Sequence, residues 1–145
     1  MKKTVLAAAL ILGLTGLNPV FADKIAVVDV PAVVAQSQQV KALKQEQTKK
    51  LQDLEKWLVT VRADVEKQKT QEGKEKLLTK YNAEFAKKKE AIAKDYQTRL
   101  QAIDKSISDT IAQQAKAKGY DVVVSKGMVL YGGDDITADV TKVVK

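Results

Sequence analysis

Cysteine and histidine are both absent from this 145-residue chain. Without cysteine there is no disulfide, no thiolate nucleophile and no thiolate metal site. Without histidine the commonest general base and the commonest nitrogen ligand for metals are missing too. Cysteine nucleophiles and His-dependent triads are therefore excluded. Carboxylate or Ser-Lys chemistry stays formally open, but no motif points to it. Proline is nearly absent, at 2 residues, and both lie before Val40. Between Val40 and Lys118 there is a single glycine, Gly73. A stretch without breakers over that length reads as long helix or coiled coil, and its Lys, Gln, Glu and Ala content agrees.

The N-terminus has a different character. Lys2 and Lys3 precede an apolar run from Val5 to Leu17, and Val20-Phe21-Ala22 puts a small residue at a cleavage position. The run is shorter than the ~20 apolar residues that a membrane-spanning helix needs. Residues 1–22 therefore read as a secretory signal peptide rather than an anchor. Asp23 follows the expected cut where a lipoprotein would carry cysteine, so no lipid anchor is expected.

After the cut, "DKIAVVDV" reads as a short strand, and Pro31 opens a short helical turn, since proline suits a first helical position. From Val40 two apolar patterns appear. Leu51, Leu54, Leu58, Val61 and Val65 follow heptad spacing. Tyr81, Ile92 and Ile103, with Phe85, Tyr96 and Ile107, follow an eleven-residue repeat, and Leu78, Leu100 and Ile111 fit a third row. Folding the chain back about Gly73 sets Leu43 against Ile103, Leu54 against Ile92, Val61 against Phe85 and Val65 against Tyr81. Leu58 opposite Lys88 and Gln47 opposite Arg99 are misfits. The register predicts an antiparallel helical hairpin over 40–118 with its tip near Gly73.

Gly119 is placed to end the second helix. "YDVVVS" and "MVLY" then read as strands joined by a tight turn at "KG", followed by Gly132-Gly133 and a short helix capped by Thr137 or Asp135. The predicted fold class is α+β: a small β-sheet head from 23–39 and 119–145, carrying a long helical arm. Ile25, Val27, Val122, Val124, Val129, Tyr131, Ile136 and Val140 are the expected head residues. So small a head buries little surface by itself, and association of several copies is the expected remedy.

Charge divides along the same line. Residues 40–118 hold 19 basic and 12 acidic side chains, and the rest of 23–145 holds 4 basic and 6 acidic. From Lys67 to Lys94 there are 9 basic and 4 acidic. Such a field steers acidic partners and anionic surfaces, although a lysine run such as Lys87-Lys88-Lys89 also serves as a plain solvated face.

"ADKIAVVDV", the long helical hairpin, "YDVVVSKGMVLYGG" and the ending "DDITADVTKVVK" together resemble the Skp/OmpH family of periplasmic chaperones, over the whole of 23–145. The resemblance implies a homotrimer whose heads form a β-barrel-like body with arms enclosing a cavity. It implies an ATP-independent, non-enzymatic holdase in the periplasm that needs no cofactor and keeps unfolded outer-membrane proteins from aggregating. Lipopolysaccharide or an anionic membrane surface is a further partner associated with the family. The candidate contact residues are Trp57, taken to lie off the helical seam, and the arm lysines Lys67, Lys69, Lys74, Lys76, Lys80, Lys87, Lys88, Lys89 and Lys94.

Three other classes of function fit the sequence less well. Nucleic-acid binding is disfavoured by the interleaved acids, the absence of a base-reading motif and the export signal. A structural coiled-coil spacer fits the arm but not the resemblance. For an enzyme, Asp134-Asp135 is the one suggestive pair, and beside Gly132-Gly133 it reads as a turn and helix cap.

Overall fold

The computed structural model describes residues 23–145; the segment read as a signal peptide lies outside the described residues. Strand β1 (Ile25–Val28) leads into helices α1 (Val30–Gln36), α2 (Gln38–Glu66) and α3 (Gln71–Ala117). The chain closes with β2 (Val122–Ser125), a turn of 3-10 helix at Lys126–Met128, β3 (Asp134–Asp135) and α4 (Thr137–Thr141). The class is α+β, mostly helical with a small sheet, as expected.

β1 is the central strand, and both neighbours run parallel to it. Ile25 pairs with Val122 and Val28 with Ser125 on one side, and Val27 pairs with Asp135 on the other. A parallel pair needs a crossover connection, and here the entire helical hairpin forms the crossover from β1 to β2. This arrangement overturns the expected "MVLY" strand. β2 and β3 flank β1 on opposite sides and point the same way, so the chain leaving β2 must return past β1 before β3 can start. Residues 126–133 are that return path, not the second arm of a hairpin, and "KG" lies in the 3-10 turn. Gly132 and Gly133 have positive φ of 87° and 84°, and a Cβ on Gly133 would stand 2.5 Å from Val27 Cγ2.

Local signals fix the short elements. The Ala32 amide donates to Asp29 Oδ1 at 3.0 Å, which caps α1 with Pro31 in its first turn. Ser37, fully buried, ends α1 and starts α2: its Oγ accepts from the Val40 amide and donates to the Lys145 carbonyl at 2.6 Å. Gly119, at φ 75°, follows α3 as expected. The apolar core joins Ala26 and Val28 of the sheet, Val33 of α1, Ile136 and Val140 at the C-terminus, and Val40, Leu43, Ile103, Ile107 and Ala115 at the base of the arm.

Helices α2 and α3 form the expected antiparallel hairpin, 29 and 47 residues long. At ~1.5 Å per residue the longer helix spans about 70 Å. Cross-helix pairs Lys50–Asp95 and Asp64–Tyr81 lie one residue off the expected register. The turn occupies 67–70, however, and Gly73 is inside the first turn of α3 rather than at the tip. The helix start is set by Thr70, whose Oγ1 accepts from the Gly73 amide at 3.1 Å and so satisfies one of the amides left unpaired in a first helical turn.

Candidate functional site

The seam between α2 and α3 differs from the one expected. The α2 residues turned toward α3 are Leu43, Gln47, Lys50, Leu54, Trp57, Val61 and Asp64, a heptad row displaced from the expected one. Leu54 and Val61 belong to both rows. Leu51 and Leu58 are exposed, and Trp57 lies in the seam. The placement of Trp57 off the seam is thereby corrected. The reason is size: an indole covers more apolar surface than a leucine and gains aromatic contacts as well. On α3 the eleven-residue repeat is observed; of the expected third row Leu100 and Ile111 are half-buried against the core and Leu78 is exposed, while Lys88, Arg99 and Thr110 form a further half-buried row.

Three aromatic rings meet in the outer half of the arm. Trp57 stacks on Phe85 with centroids 6.4 Å apart and planes at 2°, and it meets Tyr81 edge-on at 5.8 Å. Each ring has an ammonium group near it: Lys88 Nζ is 5.2 Å from the Trp57 centroid, Lys89 5.6 Å from Phe85, and Lys80 5.9 Å from Tyr81. Contacts at these distances are attractive through the ring quadrupole. The Tyr81 hydroxyl donates to Asp64 Oδ2 at 3.1 Å, and burial together with that carboxylate pushes the phenol up from its ordinary range. Between this cluster and the ion pairs below it opens a cleft of about 290 Å³, lined by Lys50, Asp53, Leu54, Trp57, Lys88, Ala91 and Ile92.

Nearer the head, the seam is ionic. Arg99 pairs with Glu46, and Lys50 donates to Asp95 at 2.6 Å while lying 3.0 Å from Glu46. Hydrogen bonds from Arg99 and then Lys50 lower the Glu46 carboxyl to about 2. Of this network only Arg99 stood out in the sequence, as a misfit opposite Gln47.

The nine candidate lysines separate into two groups. Lys67, Lys76 and Lys88 pair with Asp64, Glu72 and Glu84 on their own helices. Lys69, Lys74, Lys80, Lys87, Lys89 and Lys94 have no carboxylate partner among the described residues. Exposed apolar side chains accompany them on the arm: Leu51, Leu58, Val59 and Leu78. In the head, Val27, Ile136 and Val140 are buried within the chain, Val124 and Val129 are half-buried, and Ile25 and Val122 are exposed. Met128, Leu130 and Tyr131 stand out at 80, 105 and 99 % exposure.

No group of metal-ligating side chains is present among the described residues, and no helix there is long and apolar enough to cross a membrane. The architecture defines a class: a small α+β head projecting a basic helical hairpin that presents aromatic, aliphatic and ammonium groups along its length. Residues 24–144 match the family model described as Outer membrane protein (OmpH-like), and the chain belongs to that Skp/OmpH-like family. No curated protein matches the chain closely enough to count as a relative.

Proposed function

We propose that this protein is an ATP-independent periplasmic holdase that binds unfolded outer-membrane proteins and prevents their aggregation on the way to the outer membrane. Membership in the OmpH-like family supports the client class and the compartment. The observation that carries the reading is the arm's surface. Between Leu43 and Ile103 no side chain is fully covered, so apolar and cationic groups alternate in reach of solvent. A mixed surface holds an unfolded chain through many weak contacts without imposing one pose. Nothing in that mode of binding calls for catalysis or a cofactor.

The working unit is a homotrimer assembled through the head. Its support is the return segment, where Met128, Leu130 and Tyr131 stand almost fully exposed among the described residues. Apolar side chains this exposed and this close together mark an association surface. The basic outer arm, from Lys67 to Lys94, supports a second contact with lipopolysaccharide or another anionic surface.

The test is twofold. Native mass of the 23–145 protein should correspond to three chains, and Tyr131→Asp with Leu130→Asp should yield monomers. Light scattering of an unfolded β-barrel membrane protein diluted from urea should be suppressed by the assembled protein. Unchanged scattering at a molar excess of trimer would refute the holdase reading.

A further inference from the structure

We propose that the cleft beside Trp57 is a docking site for one apolar side chain of an unfolded polypeptide whose neighbouring residue is acidic. The proposal rests on the holdase reading and specifies one of its contacts.

Size favours a side chain as the occupant. At about 290 Å³ the cleft sits at the lower end of the ~300–1,000 Å³ range of small-molecule pockets. Leu54, Ile92 and Trp57 supply most of its apolar lining. Ala91 also lines it, from an exposed helix position where a single methyl group takes up little space. An acyl chain would need a longer apolar trough, whereas charged residues, Lys50, Asp53 and Lys88, share the lining here.

Charge selects the neighbour of that side chain. Lys50 is already held by Glu46 and Asp95. Lys88 lies over the indole at the half-buried edge of the seam, and its one carboxylate partner among the described residues is Glu84, at 3.5 Å on the same helix. Such a pair is weak and readily exchanged for another carboxylate. Residues 87–94 add Lys87, Lys89 and Lys94 against Glu90 alone. A carboxylate next to the docked side chain therefore meets Lys88, while Asp53 on the same lining faces Lys56 at 3.9 Å. One such contact is weak, and repetition over several arms and several segments of one client supplies the avidity.

Trp57 is the one tryptophan in the chain, so its emission reports occupancy directly. The probe is an unstructured, tryptophan-free peptide carrying a single Phe-Asp pair between Gly-Ser repeats. Controls replace Phe by Gly, or Asp by Lys. The Phe-Asp peptide should shift Trp57 emission saturably, the Gly control should not, and the Lys control should respond at least about threefold more weakly. Ala91→Phe, which plugs the cleft from an exposed helix position, should weaken the response at least about tenfold. Ala91→Leu, a milder plug, should act the same way, and Lys88→Gln should weaken it about threefold. Unaltered emission from a protein that still suppresses client aggregation would overturn the cleft and leave the holdase reading standing. A saturable peptide response from a protein that fails to suppress aggregation would support the cleft and refute the holdase. Anionic phospholipid vesicles that move Trp57 emission where the peptide does not would assign the cleft to lipid and overturn the proposal.

Discussion

In the head, sheet, short helices and arm base bury Ala26, Val28, Val33, Ile136 and Val140 almost completely; beyond Leu43 and Ile103, α2 and α3 cover none of their side chains fully. Two helices alone cannot enclose a core, so the arm relies on an ionic stretch at Glu46, Lys50, Asp95 and Arg99 and an aromatic stretch at Trp57, Tyr81 and Phe85. Exposed ion pairs contribute little each, and half-buried rings contribute a fraction of what buried ones do. Local stability should therefore fall from head to tip. That gradient suits a protein whose outer part must adapt to irregular partners while its base stays fixed.

The largest effect should come from the head. Ile136→Ala empties a fully packed position and should cost ~2–4 kcal/mol in denaturant unfolding. Leu58→Ala, on the exposed side of the arm, should stay within ~0.5 kcal/mol. Equal losses at the two positions would break the comparison between regions.

Trp57→Ala should have an intermediate and local effect. Because the indole is only half-buried, the loss should be about 1–2 kcal/mol rather than the ~3–5 kcal/mol of a core tryptophan. Amide exchange should accelerate across 50–92 and remain slow in β1. Acceleration that reached β1 would mean that arm and head unfold as one unit.

Acid should separate the regions in sequence. Glu46 titrates ordinarily at 4.5 and is held at about 2 in the folded arm. A depressed carboxyl stabilises the fold above its unfolded value, and that contribution is lost as pH falls through the folded value. The arm should thus loosen as pH drops from 4.5 toward 2. In the head, Lys126 and Thr137 hold Asp135 below the usual carboxylate range, but the apolar core there does not titrate. Spin labels at Gln52 and Ala93 should move apart before the methyl resonances of Val33 and Val140 change. Glu46→Gln should show the wider separation already at neutral pH.

Much of this architecture was legible in the sequence, and the errors have physical causes. The repeat through Tyr81, Phe85, Ile92, Tyr96 and Ile103 marked the inner face of α3, because large apolar residues hold two of its rows, although Lys88, Arg99 and Thr110 share that face. On α2 the same rule failed. Two heptad rows share Leu54 and Val61, and only the partner helix decides between Leu51 with Leu58 and Lys50 with Trp57. The "MVLY" segment has strand composition, but strand direction is set by the topology around β1, which composition does not carry. The cleft beside Trp57 was invisible, since it depends on which side chains of the two helices meet across the seam.

The smallest effect concerns the end of the arm farthest from the head. Gly73 in the first turn of α3 looks like a site where alanine would gain up to ~1 kcal/mol of helix propensity. A Cβ there would lie 2.8 Å from Thr70 Oγ1, the atom that caps the helix, and 3.2 Å from Gln68 Oε1. The glutamine can swing away, but the threonine cannot do so without giving up its bond to the Gly73 amide. Losing an N-cap costs about 1 kcal/mol, so the two effects should nearly cancel in Gly73→Ala. In a Thr70→Ala background the cap is already gone, and the same substitution should stabilise α3 by about 0.5–1 kcal/mol. The cycle of single and double variants, read by amide exchange over 71–78, isolates that coupling. Full gain from Gly73→Ala in the otherwise unchanged protein would show that Thr70 does not hold the helix start, and that the arm's tip is defined by the turn at 67–70 alone.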